Sequence, residues 1–446
     1  MPQVRTRVRR PAPVSDSLQQ IGERIRKARL ESGLSQAQLG APHFTRAYVS
    51  AIELGKVRPA MKSLEFLADR LGKPASYFLE DPEADRRRGE HAAVVARSSQ
   101  LISEGKAAEA IELLEALLKR TPPPAERASL QRSLGRAYTQ DQRAPEAVAI
   151  LNEALRFFRT FDDSEQIART RSQLGAALLE LRTYVEAQQE LESALAFMSK
   201  SDVRDPLLKV HTLYNLGVSF YMRGDYRSAA QQFDRAEREG ADVGDLRWQA
   251  GLFAGMGMSY SMLKDFEAAV RYLRKSEALF EAINNKTRAI ESRLRASMSL
   301  RALGQRSKAD ELLTSALAEA RAFRAERLEV EIASVQAANW ADDGRVEEGV
   351  TVATRAVADA DRLGDPLLRV IARVQLAKTL KHQDPKRAEK VLRDLANEAR
   401  ASDGLPYAEV YAELSALLSQ NGLAEDALRY SRKAYESERR KGGSAK

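Results

Sequence analysis

Apolar residues recur along the chain at intervals of three and four, the spacing of a buried stripe on an α-helix. Leu18, Ile21, Ile25 and Ala28 define a first amphipathic helix that Gly33 ends. After Pro59, the residues Leu64, Leu67 and Leu71 define another, and a short segment from Pro74 to Leu79 follows. There Tyr77 and Phe78 are expected to close a five-helix core of about 60 residues, enough for a small domain.

Two short helices lie between these. Ser35 and Gln38 form a capping box, so a helix starts at Gln36. It runs only to about Gly40, because Ala41, Pro42, His43 and Phe44 make a breaker-rich connection. Thr45 then caps a second helix, in which Val49 and Ile52 turn inward while Arg46, Ala47, Ser50 and Ala51 stay outside. Gly55 is placed to end that helix in the left-handed conformation, and Lys56, Arg58 and Pro59 follow.

From about Leu18 to Leu79 the chain resembles the Xre-type (lambda-repressor-like) helix-turn-helix family, through Ser35 to Gly40, Tyr48 to Lys56, and Arg58-Pro59. The resemblance implies binding to double-stranded DNA. Carried over by position, it puts Gln36, Lys56 and Arg58 on phosphates, Arg46, Ala47 and Ser50 on base edges, and Thr45 and Tyr48 at the margin. Arg46 can pair with both acceptors of guanine, which makes it the strongest base reader, worth ~1–3 kcal/mol of discrimination. The connection from Leu39 to Thr45 departs from most relatives, being one residue shorter and holding Pro42. Family members bind as dimers on half-sites about 34 Å apart, so a homodimer is expected.

Further along, one unit repeats. Its clearest copy runs from Leu216 to Ala236, with Leu216-Gly217, Phe220, Gly224, Tyr226, Ala229, Phe233 and Ala236 at tetratricopeptide-repeat spacings. The small residue of each second helix is Ala110, Ala147, Ala187, Ala229, Ala269, Ala309, Gly349, Ala388 and Ala427, with successive spacings of 37 to 42 residues. That period exceeds the ~34 of the usual repeat, so each helix should be longer by most of a turn. The fold class is therefore all-α: a five-helix domain, then an α-solenoid of about nine repeats, expected to form a right-handed superhelix with a concave groove. Ser98 and Ser415 replace the packing glycine in the end units, as caps would.

Composition refines this picture. The 446-residue chain has no cysteine, which permits a reducing cytoplasm and excludes disulfides and thiolate metal sites. No apolar run reaches the ~18 residues of a membrane helix, and no signal peptide is expected. Residues 1–80 hold 14 Lys and Arg against 7 Asp and Glu, so they carry +7 of the net +8. Residues 1–17, with Arg5, Arg7, Arg9 and Arg10, read as a disordered basic arm, either one that follows DNA or a solvated tail. The domains are expected as this arm, a helix-turn-helix domain over 18–80, a charged linker or solvated turn into the next helix over 81–90, and repeats over 91–440.

Catalytic chemistry is not in evidence. His43, His91, His211 and His382 lack metal-ligand spacing and read as turn or surface residues. Gly255-Met256-Gly257 has no preceding strand and reads as helix-packing glycine rather than a nucleotide loop. No enzyme, metal or cofactor is expected. Repeats behind an Xre-type reader are similar in order to the RRNPP peptide-sensing regulators, which implies a peptide ligand in the groove at Asn215, with Tyr214 and Tyr221 beside it. The groove could instead hold a protein partner or serve only for dimerisation. The alternative to a ligand-responsive regulator is an adaptor that does not bind DNA.

Overall fold

The structure, a computed structural model, describes residues 14–79, 82–201, 203–381, 383–399 and 407–442. Every regular element among them is a helix. The predicted arm lies mostly outside these residues, as does His382. The chain divides into two compact units, residues 1–140 with 159–162, and residues 141–158 with 163–446.

The first unit opens with α1 (Val14–Glu31), α2 (Gln36–Gly40), α3 (Arg46–Glu53), α4 (Met61–Arg70) and α5 (Ala75–Leu79). Ile21, Ile25, Ala28, Leu39, Val49, Ile52, Leu64, Leu67, Leu71 and Phe78 form one buried cluster. Close packing of α1 on α3 depends on Gly22, where an added Cβ would lie 2.3 Å from the Ile52 carbonyl oxygen. Tyr77 does not close this core: it is 42% exposed, with its ring edge-on to Phe78 at 5.1 Å. Neighbouring helical residues point about 100° apart, so only one of the two aromatics can face inward.

α6 (Pro82–Ser103), α7 (Ala107–Leu118) and α8 (Pro124–Gln140) complete this unit. Most of the expected linker is thus the first turns of α6. Pro82 stands at a position where a helix tolerates it, Glu83, Ala84 and Arg86 are good helix formers by type, and Arg86 to Glu90 are exposed. His91 is not a surface residue: it is buried, with Nδ1 against the Glu126 carboxylate.

The second unit continues the alternation with α9 (Ala144–Thr160), α10 (Ser164–Glu180), α11 (Tyr184–Lys200), α12 (Pro206–Met222), α13 (Tyr226–Glu239), α14 (Leu246–Met262) and α15 (Phe266–Ala282). It goes on through α16 (Lys286–Ala302), α17 (Arg306–Ala322), α18 (Glu326–Asp342), α19 (Val346–Leu363), α20 (Pro366–Leu380), α21 (Pro385–Glu398), α22 (Tyr407–Gln420) and α23 (Ala424–Gly442). Most of these helices have 17 residues, and two of them with two short turns account for the 40-residue period. Each small marker residue is the fourth of its helix and is buried, from Ala110 in α7 to Ala427 in α23. Asp205, Asp245 and Asn285 cap α12, α14 and α16 at the same interval, each accepting from the third helical amide. Gly255 and Gly257 lie inside α14 against the Phe233 ring and the Leu273 side chain, which is a packing role.

Candidate nucleic-acid interface

The α2–α3 region is built from local capping outward. The Ser35 hydroxyl accepts from the Gln38 amide at 3.2 Å, and the Gln38 side chain accepts from the Ser35 amide at 2.8 Å. Thr45 caps α3 by accepting from the Tyr48 amide at 3.3 Å. Gly55 follows α3 with φ +67°, and an added Cβ there would also strike Gln19 of α1.

These caps fix which side chains face out. Thr45, Arg46 and Ala47 are exposed at the start of α3, and Lys56 and Arg58 are exposed just beyond its end. None of the three cations forms a salt bridge with a described carboxylate. Ser50 is half-buried on the same helix.

Gln36 and Tyr48 are engaged elsewhere. Gln36 donates from Nε2 to Glu53 Oε2 at 2.8 Å, and Glu53 itself is clasped by Arg29. Tyr48 packs at a tilt against Phe44 with ring centroids 5.0 Å apart and sends its hydroxyl to Ser63 at 3.4 Å. Its ring belongs to the domain's packing. The Gln36–Glu53 and Tyr48–Ser63 bonds span 17 and 15 residues of sequence, which periodicity does not report.

In the second unit Tyr214, Asn215 and Tyr221 are all half-buried on α12. The Tyr214 ring lies 5.8 Å from Phe233, and its hydroxyl is 3.5 Å from where a Cβ on Gly251 would sit. Tyr221 meets Tyr226 edge-on at 5.3 Å. Burial raises both phenol pKa values, and Arg288 and Arg295, seven residues apart on α16, partly offset that rise at Tyr214 and Tyr221 respectively. Among the described residues no group of three or more His, Asp or Glu is placed to hold a metal, and no helix is long and apolar enough to cross a membrane.

Residues 25–78 match the helix-turn-helix family, and residues 126–200 and 166–238 match the tetratricopeptide repeat. No curated protein sequence matches the chain. Similar solved structures include the apo form of RapI, at TM-score 0.61 and 12% identity over 78% of this chain and 97% of that one. A Rap protein complexed with competence and sporulation factor aligns at TM-score 0.58 and 12% identity, over 79% of this chain and 98% of that one. The apo quorum sensor NprR from B. thuringiensis aligns at TM-score 0.55 and 13% identity, over 80% of this chain and 99% of that one. At such identity the likeness establishes the helical-solenoid fold, and the family matches identify an Xre-type helix-turn-helix followed by tetratricopeptide repeats.

Proposed function

We propose that this protein is a sequence-specific DNA-binding transcription regulator, with Arg46, Ala47 and Ser50 reading bases and Lys56 and Arg58 holding phosphates. One observation carries the reading: three exposed cations flank the outer face of α3 without a carboxylate partner among the described residues. In the repeats, by contrast, arginines such as Arg293, Arg301 and Arg373 are tied to Glu277, Asp342 and Glu398. Cations left unneutralised are the ones that phosphates can use, with counterion release as the driving term. Thr45 and Tyr48 frame that face, and Gln36, which its bond to Glu53 orients, reaches a phosphate from the start of α2.

The repeats supply the input. A Rap neighbour was solved with a competence and sporulation factor, and NprR is a quorum sensor. Carried to this chain, this makes a peptide or protein ligand the partner, with Asn215, Tyr214 and Tyr221 as its contacts. The repeats also hold the homodimer that reads two half-sites, in the cytoplasm where DNA is reached.

The test is duplex selection from a random pool with the full chain, followed by affinity measured across salt concentrations. Enrichment of one sequence, with log affinity falling linearly in log salt, supports the regulator. Salt-insensitive or absent binding turns the assignment to the adaptor that uses only the repeat groove.

A further inference from the structure

The connection between α2 and α3 is where this chain departs from the Xre pattern, and it is fastened to α4 rather than left to its own turn chemistry. The Arg70 guanidinium, at the last residue of α4, donates from Nη1 to the Ala41 carbonyl. It also lies over the Phe66 ring, with Cζ 5.8 Å from the centroid. The same ring receives His43 edge-on at 4.9 Å and Phe44 at 5.5 Å. Phe44 in turn packs at a tilt against Tyr48 of α3.

Ala41 is the end cap of α2, with ψ 145°, and Pro42 after it has no amide to donate. The turn's own bonds are few: Ala41 N–H to the Ala37 carbonyl and Phe44 N–H to the Gly40 carbonyl. A charge-assisted bond from Arg70 therefore supplies an outside anchor for the turn, and the stack on Phe66 directs the guanidinium toward it.

We infer that Arg70 is a positioning residue that acts through Ala41 and the Phe66 ring to fix the height and tilt of α3, and so sets operator selectivity without touching DNA. This rests on the DNA-binding reading for its consequence but not for its geometry. Lysine keeps the charge but has neither the planar fork nor the stack, so Arg70→Lys separates positioning from simple charge.

Two measurements on the full chain test it. Without DNA, hydrogen exchange over residues 41–48 should speed up in Arg70→Lys and Arg70→Ala while exchange in α1 stays unchanged. Unchanged exchange over 41–48, or equal acceleration in α1, overturns the clamp whatever DNA does. With a selected operator, both variants should lose about tenfold in the ratio of operator to non-specific affinity, the scale of one charge-assisted bond. The salt slope on non-specific DNA should not change. If Arg70→Lys keeps the full ratio and Arg70→Ala lowers the salt slope by about 0.9, Arg70 is a phosphate contact instead and the inference fails. Failure to select any operator removes the regulator reading, while the exchange result still judges the clamp.

Discussion

The Arg29 guanidinium grips both oxygens of the Glu53 carboxylate, Nε to Oε1 at 2.6 Å and Nη2 to Oε2 at 3.0 Å. The two residues are 8% and 4% exposed. The bond to Glu53 raises the Arg29 pKa, and Nη1 also donates to the Leu34 carbonyl at 2.8 Å. One ion pair thus ties α1, the turn before α2, and the end of α3. Glu53→Ala strands a buried cation and should cost the domain about 3–5 kcal/mol. Both tryptophans, Trp248 and Trp340, lie in the repeats, so their emission will not report it. Hydrogen exchange in α1 and α3 will, and a loss below about 1 kcal/mol would show that the pair is not what holds these helices.

Arg46 and Lys56 should fail differently. Arg46→Ala is expected to weaken operator binding by about 1–3 kcal/mol and to relax sequence choice at one base pair. Lys56→Ala should weaken all duplexes alike and reduce the salt slope by about one. Affinities for the operator and for single-base variants, measured at several salt concentrations, distinguish the two. Equal behaviour of the variants would contradict the assignment of Arg46 to a base edge.

What could be read in advance divides along sequence separation. The Ser35–Gln38 box, the Thr45 cap and the left-handed Gly55 are each made within a few residues, so local chemistry predicts them. The repeat markers are equally legible, because burial of a small residue recurs at a fixed period. The Arg29–Glu53 pair spans 24 residues, Gln36–Glu53 spans 17 and Arg70–Ala41 spans 29. No pattern of period 3.6 encodes such partners, so the engagement of Gln36 and the anchoring of the α2–α3 turn emerge only in three dimensions. The capping Asp and Asn residues of the repeats are a different case: Asp205, Asp245 and Asn285 are a signal that a search for helix starts would find.

Gly217 is a packing position that tolerates nothing larger. An added Cβ would lie 2.5 Å from Cε1 of Phe233, whose ring is also met by Gly255 of α14. Phe233 is 1% exposed and has no room to retreat. Gly217→Ala should destabilise the fourth repeat by about 1–3 kcal/mol. Trp248 belongs to the same cluster, so its emission during denaturant unfolding reads the loss directly. An unchanged midpoint would mean that the two helices separate at little cost.

Lys264 occupies a turn position that holds glycine in several other repeats and Gln142 and Arg182, each at φ +61°, in two more. Its φ is +64°, and Gly224, Gly304 and Gly344, at 40-residue intervals, have φ +80°, +75° and +89°. A side chain in this region costs roughly 1–2 kcal/mol, and glycine returns about half of that through the entropy of the unfolded chain. Lys264→Gly should therefore stabilise the α14–α15 hairpin by about 0.5–1 kcal/mol, seen as slower exchange in both helices. A destabilised hairpin would reveal an unrecognised role for the lysine side chain.

Tyr260 offers a pH-dependent test of the α13–α15 packing. Its ring stacks on Tyr272 at 5.5 Å and 10°, and its hydroxyl lies 3.4 Å from the Asp234 carboxylate. Burial, followed by the repulsion that a phenolate would feel from Asp234, pushes its pKa up to about 12. An unfolded tyrosine ionises near 10. The folded state therefore binds the proton more tightly, so the contribution to stability is whole below about pH 10 and is lost as pH rises toward 12. Tyr260→Phe keeps the stacked ring and removes the ionisation. The difference in tyrosinate absorbance between the two proteins should then show a group titrating near 12, and the variant's stability should fall less steeply between pH 10 and 12. A difference titration centred on 10 would place the hydroxyl in solvent, and the Asp234 contact would have to be abandoned.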